Sequence, residues 1–308
     1  MLRAFFVHLS ENRSLRNFAE HSALGRRVSG RFVAGTEIAD AVRATQDVNR
    51  AGMGVSIDNL GENVTNPDEA RQSAQLYHQI LDAIAANHLN ANISLKLTHM
   101  GLDVEENLAH ELVGGLVARA ASMTPPGFVR VDMEGSPYTE RTLDFVHALH
   151  RMPGNGNSVG TVIQAYLKRS QSDVEKLLAE RIRIRLCKGA YKEPASIAFE
   201  RKADVDANYI KLMKVLMKSG VYHGLATHDE NIIREAQNFA RREKIAPDSF
   251  EFQMLYGIRR DLQQNLVREG WRMRVYIPFG TEWYPYYMRR LGERPANLLF
   301  VAGNLFRQ

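Results

Sequence analysis

The sequence predicts an α/β fold of the (β/α)₈, TIM-like barrel class with extra N-terminal helices, and three observations carry that prediction. From about residue 52, short apolar strands alternate with longer helical stretches. The count reaches eight of each, and no low-complexity segment or linker interrupts the series. The length, 308 residues, suits one barrel. A doubly wound open sheet is the runner-up, but it ordinarily has fewer strands and no switch point is visible. Two parts follow: a helical segment over 1–50 that packs on the barrel, and the barrel itself over 51–308.

In chain order, residues 1–50 read as amphipathic helix broken by Gly25, Gly30 and Gly35. Strands are predicted at 54–59, 92–98, 128–133, 160–166, 181–187, 224–228, 250–255 and 272–277. Helices are predicted between them at 68–87, 105–122, 139–151, 172–180, 197–219, 230–244 and 259–268, each from apolar residues at helical spacing. An eighth helix, 283–294, follows the last strand. Its spacing puts Tyr286, Arg289, Arg290 and Glu293 on one side and Tyr284, Tyr287, Met288 and Leu291 on the other. The first side is a solvated face or a site for a small anion such as a carboxylate.

Several strands alternate strictly, with Arg181, Arg183 and Arg185, or Arg272 and Arg274, on one face and apolar residues on the other. Ser94/Lys96/Thr98 and Arg130/Asp132/Glu134 repeat the pattern. Alternation usually marks a half-exposed antiparallel sheet, yet each strand is followed by a crossover-length helix. A barrel with an unusually polar lumen reconciles the two. In such a barrel the chemistry belongs at the C-terminal strand ends.

Those ends are polar at nearly every strand: Glu62, Lys96, Asp132 with Met133, Gln164, Arg185 with Lys188, Gly189 and Ala190, Thr227 with His228, Gln253, and Tyr276. Burying that many charges without function is costly. Plainer readings stand beside the functional one. Lys96 and Asp132 also suit a barrel ion pair, Lys188-Gly189-Ala190 an ordinary turn, His228 a satisfied buried histidine, and Glu62 a solvated loop residue.

Composition excludes several classes. The 40 basic residues are scattered and no zinc-finger, RNP or basic-helix signature occurs, so nucleic acid is not an expected partner. Cys187 is the single cysteine, so no intrachain disulfide is possible, and a reducing, cytoplasmic setting is expected. No apolar run nears the ~20 residues of a membrane span, and no signal-peptide pattern opens the chain, so any membrane contact is expected to be peripheral. There is no GxGxxG, Walker A, HExxH or GxSxG pattern, and the ten histidines lack ligand spacing, so no metal is expected. A lyase or aldolase using Lys96 or Lys188 as a Schiff base is the alternative activity.

Taken together, Ile93-Ser-Leu-Lys-Leu97, Val131-Asp-Met-Glu134, Arg185-Leu-Cys-Lys-Gly-Ala-Tyr191, Ala226-Thr-His228, Glu251-Phe-Gln-Met-Leu-Tyr-Gly257 and Tyr286-Tyr-Met-Arg-Arg290 resemble the proline dehydrogenase family in consistent order. The length resembles its bacterial monofunctional form. The resemblance implies a flavin adenine dinucleotide (FAD) enzyme on a distorted barrel. Such an enzyme oxidises L-proline to Δ1-pyrroline-5-carboxylate and passes electrons to a membrane quinone. It implies that Arg289, Arg290 and Lys96 hold the proline carboxylate, that Tyr276, Tyr286 and Leu255 wall its ring, and that Asp132 organises the site beneath. It further implies that Met133, Gln164 and Arg185 line the isoalloxazine, with Arg185 near the hydride-accepting nitrogen. Lys188, Gly189, Ala190, Thr227 and His228 then hold the rest of the cofactor. Glu62 resembles the family's gate, closing over substrate by pairing with Arg289.

Overall fold

The computed structural model describes residues 30–284 together with Tyr286 and Met288. Eight strands, β1 Gly54–Asn59, β2 Ala91–Leu95, β3 Val129–Val131, β4 Val159–Gln164, β5 Arg183–Cys187, β6 His223–Ala226, β7 Phe250–Leu255 and β8 Met273–Phe279, close into one barrel in sequence order. Every pairing is parallel, including the β1–β8 closure. The connecting helices are α1 Ile38–Arg50, α2 Pro67–Ala86, α3 Glu106–Ala121, α4 Thr139–Arg151, α5 Ser170–Ala179, α6 Lys202–Lys218, α7 Glu230–Glu243 and α8 Arg260–Arg268.

Local chemistry sets these boundaries. α2 starts where Asn66 accepts from the Glu69 N–H at 3.0 Å, with proline in the first turn and Asp68 and Glu69 at the positive end of the helix dipole. The Asp229 side chain caps α7 by accepting from the Asn231 N–H. α6 begins at Lys202 rather than 197: the preceding residues pair back on the β4 end, where Phe199 N–H donates to the Tyr166 carbonyl at 2.8 Å and Leu167 bridges Ala198. Arg181 precedes β5 in a left-handed turn (φ 57°), so two of the three alternating arginines lie on the strand itself.

The alternation is resolved as a polar lumen. Side chains such as Val55, Ile57, Ile93, Val131, Ile184, Phe252 and Ile277 point outward and are buried under the helices. Each such aliphatic burial stabilises by roughly 1.5–3 kcal/mol. The other face fills the barrel: Ser56 aligns with Asn92 and Tyr276, Gly160 with Arg130 and Arg183, and Gln253 with Arg274. Glycines make the room. A Cβ at Gly224 would meet the Gln253 amide at 2.3 Å, and one at Gly160 the Arg183 carbonyl at 2.3 Å.

One slot is filled unexpectedly. α1 packs outside β1 and β8, where a helix following β8 would ordinarily lie. After β8 the chain is helical at Trp283 and Tyr284, which pack with Tyr286 and Met288 against Phe32, Val33 and Leu60. Because Leu60 follows β1, this cluster sits at the C-terminal end of the barrel. Tyr286 is buried beside Tyr284 and Met288, while the other residues of the face expected to carry Arg289, Arg290 and Glu293 lie outside the described residues.

Candidate active site at the C-terminal mouth

Asp132, just beyond β3, is the hub of the mouth. It accepts from Ser94 Oγ at 2.8 Å, Arg185 Nη1 at 2.6 Å and Tyr276 OH at 3.0 Å, joining β2, β3, β5 and β8. Arg185 spends its other N–H groups inside the lumen, Nε on Gln253 Oε1 at 2.6 Å and Nη2 on Ser56 Oγ at 3.0 Å. Its guanidinium lies 5.2 Å from the Tyr276 ring centroid. Burial, followed by the Asp132 and Asp58 carboxylates, pushes the Tyr276 phenol well above its ordinary pKa, so it remains a neutral donor.

Lys96 takes a different partner from the one its sequence context suggests. Its Nζ lies 3.7 Å from Asp58 Oδ2 on β1, while Asp132 belongs to Arg185. Burial opposes its charge, but Asp58, Asp132, Glu62 and Glu134 outweigh that and hold the ammonium above the ordinary lysine pKa. Burial raises Asp58 in turn, with Lys96 pulling the other way. A lysine held protonated is no nucleophile, which weighs against a Schiff base at Lys96.

Asp58 is the residue the sequence reading missed. It lies in an apolar-looking strand, yet it shares the inward parity of Ser56 and aligns with Ser94, and that parity is the signal that finds it. The Tyr77 hydroxyl donates to it at 3.2 Å, and Tyr276 lies within hydrogen-bond reach as well. Gln253 was noticed only as a strand-end polar group. The structure makes it the link between Arg185 and Glu251, to which its Nε2 donates at 2.6 Å.

On the opposite side, Met133 is buried at the β3 end and Gln164 is anchored by donating to the Glu134 carbonyl at 2.9 Å. Glu134 itself is tied to Thr98 through the hydroxyl at 2.7 Å and the N–H at 3.1 Å. Lys188 Nζ pairs with Asp206 Oδ1 at 2.5 Å and Asp229 Oδ2 at 2.9 Å, so its charge is matched by α6 and by the α7 cap. Gly189 has φ 110°, and a Cβ there would fall 2.1 Å from Tyr166 Cδ1; no other residue fits without moving that ring. Ala190 is exposed beside it. Thr227 Oγ1 accepts from the Asp229 N–H at 3.1 Å. His228 Nε2 accepts from the Leu255 N–H at 3.0 Å, fixing the proton on Nδ1 and tying β6 to β7.

Glu62 is exposed in the β1–α2 connection, close enough for its charge to act on Lys96. Tyr276 and Lys96 meet Asp132, Leu255 closes the C-terminal end of β7, and Tyr286 belongs to the cluster that includes Leu60 after β1. Arg289 and Arg290 lie outside the described residues, as do most of the helix expected at 283–294 and residues 1–29. The mouth thus combines a protonated lysine, a neutral phenol and a buried Arg–Asp pair with the apolar Leu255 and Met133. Such a set of groups suits a small anion such as a carboxylate.

The proline dehydrogenase family model matches residues 41–303. The chain is 41% identical to "Proline dehydrogenase 1" of Bacillus subtilis (strain 168), covering 100% of both chains. It is 40% identical to "Proline dehydrogenase" of Deinococcus radiodurans over 90% of this chain and 89% of that one. In fold it resembles proline utilization A (PutA) from Bdellovibrio bacteriovorus inactivated by N-propargylglycine, with TM-score 0.81 and 24% identity, over 94% of this chain and 36% of that one. With the barrel, the polar strand ends and these full-length relatives together, the chain belongs to the proline dehydrogenase family of enzymes.

Proposed function

We propose that the enzyme oxidises L-proline to Δ1-pyrroline-5-carboxylate with FAD as its cofactor and passes the electrons to a membrane quinone from the cytoplasmic face. The observation that carries this reading is the convergence of Lys96, Asp132, Arg185 and Tyr276 on one mouth in a chain of this family.

The residues present fit a flavin dinucleotide. Gly189 brings the backbone directly against the Tyr166 ring with no side chain between, Gln164 and Arg185 offer polar edges, and Met133 offers an apolar one. Lys188, Ala190, Thr227 and His228 complete the proposed holding set along the β5 and β6 ends. When bound, FAD supplies the two-electron acceptor for the hydride that proline loses. Everything else falls to the protein. Lys96, Arg289 and Arg290 hold the substrate carboxylate, which does not react, so that binding energy is used to orient the carbon that does. Tyr276, Tyr286 and Leu255 wall the ring and exclude water. Asp132 holds Arg185 and Tyr276 in register, and Arg185 provides a fixed cation beside the electron-accepting ring system. Glu62 closes the mouth by pairing with Arg289.

Purified protein should be yellow, and proline should drive reduction of an artificial electron acceptor and of a soluble quinone. Colourless protein that takes up no added flavin would contradict the reading, as would yellow protein that leaves both acceptors untouched. Arg289→Met and Arg290→Met should each raise the proline KM by about 10–100-fold, the loss of one charge-assisted contact, while the protein stays yellow. Glu62→Ala should raise KM by no more than about 5-fold, as expected of an exposed pair. Wild-type kinetics there would remove the gate.

A further inference from the structure

Among the described residues, the opposite end of the barrel carries three lumen arginines around one buried carboxylate, Glu251. Arg130, Arg183 and Arg274 enter the lumen near the N-terminal ends of β3, β5 and β8. Glu251 on β7 serves one of them, accepting from Arg274 Nε at 2.7 Å while Tyr222 and Gln253 donate to the same carboxylate. Among the described residues Arg130 donates only to the carbonyls of Thr161 and Arg183, at 2.9 and 2.7 Å. Arg183 has less still. Among the described residues it forms no salt bridge and no side-chain hydrogen bond, and its buried Nε has no partner. The rings of Phe128 and Tyr222 hold it in place, with centroids 4.2 and 5.0 Å from its guanidinium carbon. A fixed, half-buried cation without an acceptor is costly unless something else supplies one.

Arg183 and Arg274 line a cleft of about 890 Å³ whose rim adds Arg181 and Arg272. The rim carboxylates are weak competitors. Glu180 is already bonded to Arg151 at 2.5 Å, with the His147 ring nitrogen 2.9 Å away, and Asp248 stands 3.8 Å from Arg272 with both side chains more than half exposed. Burial pushes the Arg183 pKa down, with the Glu251 charge opposing and Arg274 reinforcing it, and an anion would reverse that.

We propose that this cleft is a second ligand site, separate from the mouth, and that it takes a phosphate-bearing small molecule, with Arg183 central and Arg181 and Arg272 at its edges binding the phosphoryl oxygens. Three guanidiniums call for a multivalent oxyanion; a single carboxylate would satisfy one fork. The cleft exceeds a bare phosphate and falls in the size range of small-molecule sites, which leaves room for an organic group. The proposal is independent of the flavin reading.

The test is isothermal titration of the holoenzyme with inorganic phosphate and, separately, with glycerol phosphate, at ionic strength held constant with NaCl. Saturable binding of at least one probe is expected. Tighter binding of the ester identifies a phosphorylated metabolite as the ligand, and equal binding identifies phosphate itself. Arg183→Met should weaken binding at least 10-fold. The double variant Arg181→Gln/Arg272→Gln, confined to the rim, should weaken it several-fold with an unchanged circular dichroism spectrum, and it carries the test if Arg183→Met does not fold. No saturable heat with either probe, an equal response to NaCl alone, or binding undiminished in the rim variant would overturn the site.

Discussion

Asp132 accepts from a serine, an arginine and a tyrosine at once, and among the described residues it is the carboxylate paired with Arg185. Removing it leaves the buried Arg185 guanidinium without a counter-ion. Asp132→Ala should therefore destabilise the fold by about 3–5 kcal/mol in urea unfolding, as expected for one partner of a buried pair. A loss below about 1 kcal/mol would mean that Arg185 finds another acceptor. At this scale the site was partly legible. Asp132, Arg185, Tyr276 and Lys96 show themselves as polar residues at strand ends. The partner assignment did not: which carboxylate faces Lys96 depends on lateral register, and register is invisible in one strand read alone. Asp58 was lost for that reason, since Ser56 and Asp58 become lumen residues only when β1 is set beside β2 and β8.

Among elements, the β5–α6 connection is tightly constrained at its start. Gly189 lies against the Tyr166 ring in a backbone conformation that L side chains rarely adopt. Gly189→Ala should lower stability by more than about 1 kcal/mol and reduce the flavin content of purified protein, read from thermal unfolding and the visible spectrum. Full retention of both would show that the ring moves aside freely. Strands and helices were read to within a few residues because apolar periodicity and capping are local. α6 was read too long because residues 197–201 have helical composition but pair back on the β4 end, a tertiary choice. The role of α1 was equally hidden, since nothing local says that a helix before β1 will fill the slot beside β8.

Across the whole molecule, the polar lumen forms a hydrogen-bonded column from Arg274 through Glu251, Gln253 and Arg185 to Asp132, spanning the barrel from floor to mouth. Alternating arginines announced that column in the sequence, although they equally suggested an exposed sheet until the helices between strands were counted. Burial also sets the response to acid. Burial, then Arg130 and Arg183, lowers the His223 pKa to about 3, while burial and Lys96 lower that of His99 to about 4. Both rings stay neutral in the folded state while the unfolded chain binds protons below about pH 6.5. Their contribution to stability is therefore complete above that pH and is lost as pH falls toward about 4 and then about 3. Asp58 and Glu134, raised by burial, act in the opposite direction, so the comparison must be internal. His223→Gln should flatten the stability difference between pH 7 and pH 5 by about 1–2 kcal/mol in urea unfolding. An unchanged slope would show that the ring is solvated. The most direct measurement of the proposed chemistry is an anaerobic titration of the purified protein with L-proline, followed by visible absorbance. The oxidised flavin bands should bleach in proportion to proline added and return with a quinone, whereas a flavin spectrum that proline leaves unchanged would contradict the proposed reaction.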